Sequence, residues 1–130
     1  MPTIFSKIIA GEIPCYKVAE TNDFMAFLDV RPLTAGHTLI IPKTETDYIF
    51  DIDDEHYAGL FLFAKIVAGA VKKAIPCTKV GMAVIGLEVP HAHIHLVPMN
   101  NIGDLNFEKE RAVFTPEEYK EIADKIATAL

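Results

Sequence analysis

Six consecutive residues constrain the fold of this chain more than any others: His91-Ala92-His93-Ile94-His95-Leu96 alternates an imidazole with an apolar side chain. Successive side chains of a β-strand point to opposite faces, so a strand here places all three imidazoles on one face and Ala92, Ile94 and Leu96 on the other. The apolar face needs a core to cover it. The imidazole face needs polar partners, because a buried ring without them costs free energy. Packing gives no reason for three histidines at a period of two, so this face is expected to be the functional site.

The rest of the chain supplies short strands and one long helix. Residues 4–9, IFSKII, open a short helix that Gly11 and Pro14 end, and Tyr16–Ala19 reads as an edge strand. Phe24–Val30, the turn Pro32–Gly36 and His37–Ile41 form a hairpin-like, antiparallel unit. Residues 43–50 read as a connector with room for one helical turn, and no chemistry is expected of them.

The long helix spans about Asp53 to Ile75, acidic at its start and basic at its end, as the helix dipole prefers. Leu60, Phe61, Leu62, Phe63, Ile66, Val67, Val71 and Ile75 spread around most of its cylinder. Such a helix needs burial on more than one side. One side covering the sheet and the other meeting a second copy makes a homodimer the expected assembly. Residues 79–85 and 91–97 are two more strands. Thr115, Pro116 and Glu118 begin a terminal helix with a capping box, running to about Ala129. The class is α+β.

A chain of 130 residues with 51% hydrophobic composition is expected to form a single domain, 1–130. Its 18 acidic against 12 basic residues, a formal charge of -6, disfavour a broad nucleic-acid or anionic-membrane footprint. The opening residues lack the basic start and apolar run of a secretory signal, and no stretch has transmembrane length, so a cytoplasmic location is expected. Cys15 and Cys77 are far apart and form no CxxC pair, and two reduced thiols are the plainer expectation.

The spacing of the histidines admits two chemistries. Two imidazoles two residues apart, with a third ligand nearby, can hold zinc. Alternatively the middle ring attacks a phosphorus atom while its neighbours contact phosphate oxygens or orient the attacking ring. Imidazole suits both, since its pKa lies near neutrality.

The run His91-Ala92-His93-Ile94-His95-Leu96-Val97 resembles the defining pattern of the histidine triad (HIT) family, His-x-His-x-His followed by two apolar residues. The opening Ile4–Ile9 with Gly11-Glu12-Ile13-Pro14, the segment Phe27–Pro32 and the segment Gly36–Lys43 are similar to family segments in the same order. Together they cover about residues 3–100, most like the nucleotide-binding branch, with a C-terminal extension whose helix spans about 116–129.

The resemblance implies a five-stranded antiparallel sheet that joins its copy in a dimer as a continuous ten-stranded sheet. It implies hydrolysis or transfer of a nucleoside monophosphate through a nucleotidylated histidine, with a purine nucleotide such as AMP as ligand. His93 would be the nucleophile, His95 would contact α-phosphate oxygens, His91 would support the network around the nucleophile, and His37 would lie beside the cluster. Asp29 would accept hydrogen bonds from the ribose hydroxyls, and Phe5, Ile8, Phe27 and Val30 would line the base slot. Each has a plainer reading as well: ordinary core for the apolar four, a turn carboxylate for Asp29, a surface histidine for His37.

Departures from the pattern bear on the leaving group. Glu88 stands three positions before the first triad histidine, where the family carries a small polar residue or glutamine. A carboxylate beside phosphate is repulsive, so Glu88 is expected to pair with a charged imidazole or turn outward. Gly86 fits a close backbone approach to phosphate or, more simply, a turn. Ala83-Val84-Ile85 lacks the familiar asparagine, so the resemblance does not carry over the leaving-group contacts. Ser6 stands where zinc-carrying members have cysteine, so no structural metal is implied, and no other cofactor is expected. The expected activity is hydrolysis at the α-phosphorus of purine nucleoside phosphoramidates or related AMP conjugates. The alternatives are a dinucleoside polyphosphate hydrolase or nucleotidyl transferase of the same family, a non-enzymatic purine-nucleotide-binding regulator, and a metal hydrolase using His91, His93 and His95.

Overall fold

Alternating side-chain direction on two adjacent, fully buried strands divides the molecule into two layers. In a computed structural model, which describes residues 2–130, the chain forms α1 (Ile4–Ile9), β1 (Lys17–Glu20), β2 (Phe24–Leu28) and β3 (Thr38–Pro42). A 3-10 turn at Ile49–Asp51 leads to α2 (Asp54–Ala74), β4 (Lys79–Ala83) and β5 (Ile94–Met99). A second 3-10 turn at Ile102–Leu105 precedes α3 (Pro116–Thr128). The strands make one five-stranded sheet in the order β1-β2-β3-β5-β4, with every pair antiparallel.

Every residue of β2 and β3 except the terminal Thr38 and Pro42 belongs to one of two apolar clusters. Phe24, Ala26, Leu28 and Ile40 pack with α2 and α3, while Met25, Phe27, Leu39 and Ile41 pack with Phe5 of α1 on the other face. Period-two alternation thus gives each strand two buried faces. Ile94 and Leu96 of β5 join the α2 layer, which leaves His95 facing the α1 side. Each large apolar side chain so buried contributes about 1.5–3 kcal/mol.

Asp53 caps α2, its carboxylate accepting from His56 N–H at 2.8 Å, and Lys72 and Lys73 close the helix. Leu60, Phe63, Ala64, Val67, Ala70 and Val71 face the sheet. Leu62 and Ile66 point outward, each 63% exposed, so the wide apolar girdle resolves into one covered face and one uncovered stripe. His56 lies half-buried in the first turn, away from the histidine cluster's hydrogen bonds and paired with Asp53. Thr115 and Glu118 form the expected capping box of α3.

Several strand boundaries differ from the sequence expectation, β1 by a shift of one residue to Lys17–Glu20 and β5 by running on to Met99. β2 ends at Leu28 and β3 begins at Thr38, because Asp29 and His37 turn their side chains onto the connecting backbone: Arg31 N–H donates to Asp29 Oδ1 and Leu33 N–H to His37 Nδ1. β4 stops at Ala83, ahead of the turn at Gly86 (φ +67°). β5 begins at Ile94 instead of His91, because His91 N–H donates to Val89 O and Ala92 N–H to Thr46 O. Cys15 and Cys77 are free thiols. Among the described residues no helix is long and apolar enough to cross a membrane.

Candidate active site around the histidine cluster

Although His91 and His93 precede the ladder, their side chains keep the alternation. The Phe5 ring of α1 meets His91 at 5.7 Å and His93 at 5.0 Å between centroids, and His93 meets His95 at 4.8 Å. Ala92 packs instead with the α2 layer. All three triad rings and His37 are buried.

The hydrogen-bond partners assign the rings' roles. A carbonyl oxygen only accepts, so His93 Nδ1, 2.8 Å from His91 O, carries the proton and leaves the Nε2 lone pair free. His37 Nδ1 accepts from Leu33 N–H at 2.9 Å, so its proton sits on Nε2, 3.0 Å from His95 Nδ1. His95 Nδ1 is then an acceptor, and its own proton is on Nε2. One ring thereby offers a lone pair, and its neighbour offers a donor. His91 donates from Nε2 to Pro42 O at 2.8 Å and meets the Thr3 hydroxyl with Nδ1 at 2.9 Å.

Burial disfavours the charged imidazolium and holds His37, His93 and His95 below the usual histidine range. Asp29 opposes the shift on His37, and the His91 carbonyl, Asp29 and Glu88 oppose it on His93. Arg111 reinforces it on both His37 and His95. His37, His93 and His95 are therefore built to be neutral near pH 7.

Asp29 lies 3.6 Å from His37 Nε2 through Oδ2, while Oδ1 accepts from Arg31 N–H at 2.8 Å. Its turn-carboxylate role is real and occupies one oxygen only. Phe5 and Phe27 stack edge-on at 5.7 Å with Ile8 packed against them, and Val30 is 65% exposed beside the same loop. Glu88 is exposed, and Gly86 holds a positive φ with open space where a Cβ would stand.

The family model for the HIT domain matches residues 10–102. The chain belongs to the HIT family. It is 33% identical over 132 residues to a HIT-like protein of Borreliella burgdorferi, covering 95% of each chain. It is 32% identical to an adenosine 5'-monophosphoramidase of Schizosaccharomyces pombe, covering 100% of this chain and 99% of that one. A crystal structure of a HIT-like protein from Bartonella henselae superposes with a TM-score of 0.85 at 32% identity, covering 98% of this chain and 96% of that one. A zinc-bound histidine triad protein from Mycobacterium smegmatis gives 0.82 at 30%, covering 97% and 91%.

This HIT domain also uses residues that its sequence did not single out. Glu45, in the connector from which no chemistry was expected, accepts from Ser6 Oγ at 2.5 Å and from Thr3 N–H at 3.2 Å. Thr3 caps α1 by accepting from Ser6 N–H at 3.0 Å and also reaches His91. A chain of contacts thus ties Glu45, α1 and the first triad histidine. Thr3 was findable as a cap before an apolar helical run; Glu45 carries no local signal. Phe107, outside the family match, lies beside His95, and Arg111 is held against Phe107.

For metal binding, the donor atoms of Asp29, His37 and His95 lie within 4.8 Å of one another, the one such group among the described residues. In the HIT triad itself His91 has both nitrogens engaged, which disfavours a metal held by His91, His93 and His95 together. A groove of about 640 Å³ between α2 and α3, lined by Lys73, Lys120, Glu121 and Asp124 among others, contains no imidazole and is remote from this chemistry.

Proposed function

We propose that the protein is a nucleotide hydrolase acting at the α-phosphorus of purine nucleoside phosphoramidates or related AMP conjugates. The observation that carries this reading is His93 Nδ1–H held by the His91 carbonyl, which leaves Nε2 as a neutral nucleophile in a buried site. Family membership and the name of the fission-yeast relative support it.

His93 Nε2 forms a bond to phosphorus as the bond from phosphorus to the leaving amine breaks. The amine leaves with a proton taken from a neighbouring imidazole or water. Water then attacks the phosphorus, the bond to Nε2 breaks, AMP departs, and the water's proton returns to the donor. His95 Nε2–H points its donor at an α-phosphate oxygen, oriented by the His37 hydrogen bond. Asp29 Oδ2 accepts from the ribose hydroxyls, and Phe5, Ile8, Phe27 and Val30 form the base slot. Gly86 supplies close backbone approach.

We also propose a homodimer joined through α2 and the free edge strand β4. Leu62 and Ile66 supply an exposed apolar stripe, and Met82 is exposed on β4. Edge pairing of β4 with its copy would make one ten-stranded sheet from two sheets of five.

The test is a trapping experiment. Protein is mixed with α-labelled adenosine phosphoramidate, denatured rapidly, and mapped for acid-labile label by peptide mass spectrometry. Label on His93 with AMP released in excess over enzyme is expected. Neither label nor turnover, with AMP still bound, would replace the hydrolase reading by a binding protein.

A further inference from the structure

Residues 106–112 lie beyond the segment that the family model matches, yet they close one side of the histidine cluster. The Phe107 ring meets His95 edge-on, centroids 4.7 Å apart at 73°, and reaches His37 at 6.3 Å. His95 is enclosed between His93 and Phe107, and only 8% of it is exposed.

The segment is fastened to the loop that carries Asp29 and His37. Arg111 Nη1 donates to Arg31 O at 2.6 Å and Nη2 to Phe107 O at 3.1 Å, while its guanidinium carbon lies 5.7 Å from the Phe107 ring centre. Ala112 N–H donates to Pro32 O at 2.9 Å. Two hydrogen bonds and a ring contact from one arginine therefore fix both the strap and the aromatic side chain it carries.

We propose that Phe107 is a positioning residue for the phosphate-facing imidazole: the 106–112 strap, clamped by Arg111, keeps water off the His37–His95 pair so that His95 stays neutral and presents Nε2–H to substrate. This rests on the phosphoryl-transfer reading of the triad. A charged His95 would need Nδ1 as a donor, and Nδ1 faces the His37 Nε2–H at 3.0 Å. The charges around the pair do not settle the matter alone. Asp29 favours a charged His37, whereas Arg111, Lys109 and His93 oppose it; His93, His37 and Arg111 oppose charge on His95. Exclusion of water is the largest influence on both rings, and Phe107 is the apolar side chain that seals His95 from the strap side.

The experiment follows the His95 imidazole by NMR titration in the full chain, together with the pH profile of kcat/KM on adenosine phosphoramidate. Phe107→Ala should raise the His95 midpoint by about one pH unit and carry the acid limb of kcat/KM upward with it. Phe107→Leu, which keeps an apolar seal, should stay near the parent. Arg111→Lys keeps the positive charge but cannot bridge Arg31 O and Phe107 O as the two-armed guanidinium does, and should shift His95 in the same direction as Phe107→Ala. A His95 midpoint unmoved in both Phe107→Ala and Arg111→Lys, or moved equally by Phe107→Leu, overturns the proposal. Absence of turnover in the parent protein would count against the hydrolase reading, while the NMR titration would still decide this one.

Discussion

The backbone carbonyl of His91 lies 2.8 Å from Nδ1 of His93, so the peptide two residues upstream sets the tautomer of the attacking ring. No side chain is needed for that task. The chemistry therefore concentrates in one nitrogen, His93 Nε2. His93→Ala is expected to lower turnover by at least about 10⁴-fold, the scale on which nucleophile removal acts, and to retain AMP binding by calorimetry. Turnover within tenfold of the parent would remove His93 from its role.

Asp29 keeps Oδ2 available while Oδ1 holds the Arg31 amide. Asp29→Asn preserves the amide contact and loses the charge. Affinity for AMP should fall about tenfold, the scale of a hydrogen bond to a charged group, while affinity for 2',3'-dideoxy-AMP should hardly change. An equal loss for both nucleotides would argue against ribose recognition.

His37, His93 and His95 are all held below the 6.5 of an unperturbed histidine. Between 6.5 and the depressed values the unfolded chain binds protons that the folded chain does not. Stability is thus fully present above about pH 6.5 and is lost as pH falls, by about 1.4 kcal/mol per pH unit for each ring still neutral in the fold. Urea unfolding at pH 7.5, 6.0 and 5.0 should show this slope, reduced in His95→Asn. Stability unchanged between pH 7.5 and 5.0 would contradict the buried neutral cluster.

Thr3 both caps α1 and contacts His91. Thr3→Val keeps its shape and removes both hydrogen bonds, and should cost about 1–2 kcal/mol of stability. Thr3→Ser should restore most of it. Equal destabilisation by valine and serine would assign the effect to packing of the methyl group instead.

Leu62 and Ile66 stand exposed on α2. Ile66→Arg is expected to halve the mass seen by sedimentation equilibrium without altering the circular dichroism spectrum. A parent protein that already sediments as one chain would dismiss the dimer.

Several of these features were legible locally. Alternation over 91–96 placed the imidazoles on one face and the apolar residues on the other, and that alternation survives even where the ladder does not. Asp53, Lys72 and Lys73 bounded α2 closely, and Thr115 with Glu118 marked the start of α3, because caps and dipole preferences act within one or two turns. Glu45 was not legible: its partners Ser6 and Thr3 are 39 and 42 residues away, and nothing in its own neighbourhood marks it. Phe107 reads as a loop aromatic until the 106–112 segment folds back on His95.

The sequence by itself determined which residue types share the site, since side-chain direction follows from a period of two and needs no knowledge of the fold. Only the tertiary structure decided which nitrogen of each ring is free. That choice depends on what lies opposite: a carbonyl for His93, a backbone N–H for His37, and a donating imidazole for His95. The last two contacts join positions far apart in the chain or set by a loop, and a hydrogen-bond partner at such a distance is fixed by packing rather than by local pattern.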